Sequence, residues 1–167
     1  MILAVCPLSG LAAHLDAHRP SHVVSLLSPT APAPEIVDVE RLHLAFHDIA
    51  EPREDLIAPS AAMIADLLAF ADAWDRKRPL LLHCYAGVSR STAAAFILAC
   101  RVAPTRDEAE LTWALRSLSP SATPNPLMVA LADAALGREG RMVAAIQAIG
   151  RGAEAFEGEA FAWDPGQ

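Results

Sequence analysis

Residues 80–92 read Leu-Leu-Leu-His-Cys-Tyr-Ala-Gly-Val-Ser-Arg-Ser-Thr. An apolar strand running to His83 delivers Cys84, and Arg90, after five intervening residues, stands where a helix begins. A loop that turns from strand into helix points successive backbone N–H groups inward and forms an anion nest. The helix adds the partial positive charge of its amino end. Gly87 lets the backbone turn where a side chain would obstruct. The Arg90 guanidinium offers a planar fork that fits two oxygens of a tetrahedral oxyanion. A field that binds an anion also favours thiolate over thiol at Cys84. A thiolate beneath a bound phosphate is placed for in-line attack on phosphorus. The plainer alternative, a structural cysteine at a strand end, leaves Gly87, Arg90 and Ser91 without a reason.

The stretch resembles the signature of the cysteine-dependent protein tyrosine phosphatase superfamily: His-Cys, five residues, Arg, then Ser or Thr. Ala86-Gly87-Val88-Ser89-Arg90-Ser91 is similar to its dual-specificity branch. The resemblance implies a phosphomonoester hydrolase that works through a phosphocysteine intermediate, without cofactor or metal. It makes Cys84 the nucleophile. Arg90 and the backbone amides of Tyr85, Ala86, Gly87, Val88 and Ser89 would hold the phosphoryl oxygens. Ser91 would hydrogen-bond the departing thiolate, and His83 would orient the loop. The family carries an aspartic general acid on a loop before the cysteine. Asp48 and Asp55, 36 and 29 residues upstream of Cys84, are the candidates. Asp48 is favoured because it follows the strand ending Leu44-Ala45-Phe46, while Asp38 falls inside that strand. Pro124-Asn125 matches an element that braces the phosphate loop in similar phosphatases, and Asn125 equally suits an ordinary helix N-cap.

Tyr85, Ala86, Val88 and Ser89 are uncharged, whereas family members acting on inositol lipids carry loop lysines. The expected substrate is therefore a phosphorylated protein, phosphotyrosine first, with dual specificity open. A small phosphomonoester or an inositol phosphate is the alternative substrate. A phosphate-binding module without turnover is the alternative class, as is a sulfur-transfer or arsenate-reducing enzyme.

The elements that must position these residues alternate at first. Met1–Val5 reads as a strand, Ser9 as the cap of a helix ending at Pro20, and His22–Leu27 as a strand buried on both faces. Ile36–Phe46 is strand-like, and 47–59 is a loop. Ser60 caps an amphipathic helix with Met63, Ile64, Leu67, Leu68, Ala71 and Trp74 at helical spacing. Only helices follow residue 90. Thr105–Glu108 reads as a capping box. Asn125-Pro126 opens a helix to about residue 149, interrupted near Gly137 or Gly140. The expected fold is α/β: a small, mostly parallel sheet of 4–5 strands flanked by helices, phosphatase-like, with a helical C-terminal half. Residues 1–149 form the expected domain and 150–167 an acidic tail, either an extended strap or a disordered end.

Composition narrows the partners. Hydrophobic residues make up 53 % and charged residues 20 %, which excludes a disordered chain. No uninterrupted apolar run approaches the ~20 residues of a membrane span. The net charge of −7 argues against nucleic acid and anionic membranes as partners. Cys6, Cys84 and Cys100 lack metal-type spacing and suit free thiols in a reducing cytoplasm, the expected location, though Cys6 could approach Cys84 closely enough for a disulfide. The N-terminus has no basic, signal-like segment. Nothing in the sequence indicates an oligomeric state.

Overall fold

A computed structural model describes residues 1–167. Four strands run parallel: β1 (Leu3–Pro7), β2 (His22–Leu27), β3 (Glu40–Ala45) and β4 (Leu80–Cys84). A short fifth, β5 (Phe161–Trp163), lies antiparallel to β1, giving the order β3-β2-β4-β1-β5. β1, β2 and β4 are buried along their whole length, as their continuous apolar runs require in a sheet covered on both faces. β3 is an edge strand and alternates in exposure.

Helix α1 (Leu11–His18) covers one face over a small core of Ala4, Cys6, Leu11, Val23, Ile36 and Leu81. The other face carries α2 (Ala61–Ala73), α3 (Arg90–Val102), α4 (Glu108–Leu118), α5 (Pro126–Ala135) and α6 (Arg141–Ile149) over the main core. The axis of that core is α3, in which every residue except Arg101 is buried. Its Phe96, Ile97 and Leu98 are fully buried, and each contributes about 1.5–3 kcal/mol. Truncating Phe96 to Ala would cost about 3–5 kcal/mol. The buried α3 fixes the direction in which the loop after Cys84 must leave the sheet.

The structure differs from the sequence reading at three places. The strand expected over 36–46 begins only at Glu40, because Asp38 takes a left-handed φ of 60° and breaks the extended run. Gly10, not Ser9, caps α1, after a short 3-10 turn; the Ser9 hydroxyl donates to Glu157 instead. The cap of α4 is Asp107, whose carboxylate accepts from the Ala109 and Glu110 amides. Glu108 cannot complete a box with Thr105, because it is buried between Arg138 and Arg141. The interruption expected near Gly137 or Gly140 is present: α5 and α6 are divided where Gly137, Glu139 and Gly140 all have positive φ, and Asp133 caps the second through the Gly140 and Met142 amides. Residues 150–160 take the strap alternative, lying back across the C-terminal ends of the strands, and β5 completes the sheet.

Candidate functional site

β4 is the central strand, and its carboxyl end lies between β1 and β2. Open parallel sheets place ligand crevices at such carboxyl ends. Residues 85–89 join β4 to the amino end of α3. Their carbonyls face outward and are held by separate segments. Leu8 N donates to Tyr85 O at 3.0 Å, Gly158 N to Ala86 O at 2.8 Å and Thr123 N to Val88 O at 2.9 Å. Thr92 Oγ1 donates to Val88 O at 2.5 Å and to Ser89 O at 2.9 Å. Ala93 N also reaches Ser89 O, at 2.9 Å. With its carbonyls pinned outside, the loop turns amides inward, and Gly87 N donates to Cys84 Sγ at 3.2 Å. Gly87 has φ of 72°, and a Cβ there would sit 2.9 Å from Pro7 N. Only glycine meets both demands.

Cys84 is 2 % exposed, at the base of this loop. Its sulfur is 3.2 Å from Ser91 Oγ, so the thiol group has two polar partners. Arg90 is also buried. Its Nη1 donates to Phe46 O at 3.0 Å and Ser28 Oγ at 3.4 Å, and its guanidinium carbon lies 5.9 Å from the Phe46 ring centre, within cation–π range. Nε has no hydrogen-bond partner and is 3.8 Å from Asp48 Oδ2. The guanidinium is thus anchored through one nitrogen and keeps donors for an oxyanion.

Asp48 reaches the loop from the far side of the cleft. Its Oδ1 accepts from Ser89 Oγ and from Asn125 Nδ2, each at 2.7 Å. Both donors lie on one oxygen, so Oδ2 makes no hydrogen bond and faces Arg90 Nε. Asn125 also receives Met128 N through Oδ1, capping α5, while Nδ2 reaches Ile49 O and its backbone N donates to Ser89 O at 3.4 Å. Asp55 is exposed, in a left-handed turn, without a side-chain hydrogen bond. Asp38 lies by the amino ends of β2 and β3, away from the loop.

His83 is fully buried, and its Nε2 lies 2.6 Å from Ser25 Oγ on β2. Burial chiefly, then the nearby His43 ring, push its pKa down to about 4, against an upward pull from the Cys84 backbone. Nδ1 has no hydrogen-bond partner. A neutral ring locked between strands fixes the start of the loop and is poorly placed to exchange protons.

Cys6 belongs to the small core and Cys84 to the large one, on opposite faces of the sheet. This geometry does not permit the disulfide between them. Burial first, and the charge of Cys84 second, push Cys6 up to about 12; burial does the same to Cys100. Thr92, Thr123, Ser28 and Gly158 escaped the sequence reading. Thr92 alone left a local signal, lying one turn beyond the loop carbonyls that it binds.

The fold is that of the dual specificity phosphatases. Human DUSP28 superposes with a TM-score of 0.64 at 21 % identity, covering 82 % of this chain and 89 % of that one. DUSP15 gives 0.62 at 17 %, covering 88 % and 89 %. PTPMT1 in complex with PI(5)P gives 0.59 at 17 %, covering 87 % and 90 %. No protein-family model matches the sequence, and no curated protein does.

Proposed function

We propose that the protein is a cysteine-dependent phosphomonoester hydrolase acting on phosphorylated proteins, phosphotyrosine above all, with phosphoserine and phosphothreonine as further substrates. The observation that carries this reading is the Cys84 sulfur at the amino end of α3, bonded by Gly87 N–H beside the free Nε of Arg90. In the first step the thiolate attacks phosphorus, a P–S bond forms, the P–O bond breaks, and Asp48 gives the Oδ2 proton to the leaving oxygen. Arg90 and the loop amides stabilise the charge that builds on the equatorial oxygens. In the second step water attacks phosphorus, the Asp48 carboxylate takes its proton, and the Ser91 hydroxyl stabilises the departing thiolate. No cation stands among residues 85–89 to meet a polyanionic inositol headgroup, which favours the protein substrate. Three buried free thiols suit a reducing compartment and support a cytoplasmic location.

The test is hydrolysis of p-nitrophenyl phosphate and of phosphotyrosyl, phosphoseryl and phosphothreonyl peptides. Cys84→Ser is expected to lower turnover at least a hundredfold while leaving phosphate binding measurable. Turnover by the serine variant at the native rate would overturn the reading.

A further inference from the structure

The C-terminal strap does more than close the fold. Gly152 N donates to Thr123 Oγ1 at 3.0 Å, Ala153 N to Pro120 O at 2.9 Å, and Gly158 N to Ala86 O at 2.8 Å. Glu157 accepts from Ser9 Oγ at 2.8 Å. A Cβ on Gly158 would stand 2.7 Å from Gly87 O, so the strap lies directly on the phosphate loop. Held this way, it forms the outer wall of two adjoining hollows that share Ala153, Glu154 and Ala155. One, of about 310 Å³, contains Asp48 and Ser89. The other, of about 200 Å³, is lined by Ser121, Glu157 and Glu159. Together they form a groove leading from the leaving-group side of the site along the strap.

Two independent features of this groove point to a ligand. Besides Asp48, it presents three strap carboxylates, Glu154, Glu157 and Glu159, against one cation, Arg151, whose contact with Glu154 is loose at 3.8 Å. Glu159 makes no hydrogen bond or ion pair. Ser121, 6 % exposed, lines the same groove with a hydroxyl that has no partner, although buried hydroxyls are normally satisfied.

We propose that this groove is a substrate subsite, selecting phosphopeptides with lysine or arginine close to the phosphorylated residue. The inference rests on the phosphatase reading and adds the substrate class to it. The phosphate dianion is met by the loop and Arg90, while the cationic neighbour meets the strap. A peptide acidic throughout would set its charges against the strap and against a chain of net charge −7. Exposed charge pairs are individually weak and screened by salt, so the groove yields a preference of several-fold, not an absolute requirement.

The experiment measures binding of two phosphotyrosyl peptides to the Cys84→Ser protein, identical except for lysine or glutamate at the positions flanking phosphotyrosine. The lysine peptide is expected to bind about fivefold more tightly at low salt, and the ratio to fall below twofold at high salt. It should likewise fall when Glu154, Glu157 and Glu159 are all changed to Gln. If the triple variant does not fold, Glu159→Gln alone, at a position without a partner in the fold, should still lower the ratio. Equal affinity, or tighter binding of the glutamate peptide, overturns the proposal. Turnover of p-nitrophenyl phosphate by the unaltered protein reports separately on the phosphatase reading: hydrolysis without charge preference sinks the groove alone, and charge preference in binding without hydrolysis sinks the catalytic reading alone.

Discussion

Asn125 holds two structures together through two atoms, and the two can be separated. Oδ1 caps α5 through Met128 N at 3.0 Å, and Nδ2 holds Asp48 Oδ1 at 2.7 Å and Ile49 O at 3.1 Å. Asn125→Ala removes both; the lost cap costs about 0.5–2 kcal/mol. Asn125→Ser keeps a capping oxygen but is too short to reach Asp48. The proton-carrying Asp48 is neutral, and a hydrogen bond between neutral groups is worth about 0.5–1.5 kcal/mol. Ser89 keeps a second donor on the same oxygen, so about 1 kcal/mol applies, or roughly a fivefold loss in rate. If Asn125 acts by positioning the proton on Asp48 Oδ2, the loss must depend on the leaving group. Phenyl phosphate, whose leaving oxygen needs the proton most, should lose about fivefold in kcat, and an aryl phosphate with a highly acidic phenol much less. The serine variant should melt close to the native protein, the alanine variant several degrees lower. An equal loss across the leaving-group series, or full activity in the serine variant, would refute the reasoning.

Other outcomes follow from the same geometry. Iodoacetate should label Cys84 in the native protein near pH 6.5 and spare Cys6 and Cys100, both buried and pushed up to about 12; peptide mapping showing equal labelling would contradict the anion nest. Asp48→Asn should sharply lower turnover of phenyl phosphate, while Asp55→Asn, in an exposed turn, should retain it; the reverse pattern moves the acid to Asp55. His83 stays neutral down to about pH 4, whereas in the unfolded chain it takes up a proton near 6.5, so the unfolded state binds more protons in that window and stability falls as pH drops through it. The loss is about 3 kcal/mol, and urea midpoints should fall less steeply from pH 6.5 to 4 in His83→Gln than in the native protein. Gly87→Ala forces a left-handed φ on alanine and a Cβ against Pro7, and should lower both the melting temperature and turnover.

The parallel sheet was legible because β1, β2 and β4 are short apolar runs bounded by turn residues, and the site because Cys84, Gly87, Arg90 and Ser91 have little purpose in one strand-to-helix turn except to hold an anion. Local pattern failed where a distant partner decided. Glu108 looked like half of a capping box until Arg138 and Arg141 claimed it. Ser9 looked like a cap until Glu157 claimed its hydroxyl. The carbonyl ties from Leu8, Thr123 and Gly158 are backbone contacts across long separations and carry no side-chain signature. The acidic tail reads in the sequence as either a strap or a loose end because three alternating residues, Phe161–Trp163, are too few to announce a strand; β1 supplies the edge that orders them.

That pairing joins the earliest strand to the latest, Leu3 opposite Trp163. Closing it brings together segments far apart in sequence, an entropically slow event. During synthesis, therefore, β1 presents a bare hydrogen-bonding margin until Phe161–Trp163 have emerged, and such margins invite adhesion between nascent molecules. A polypeptide ended short of residue 160 would keep that margin for life. Insolubility, rather than a merely weaker catalyst, is its expected fate.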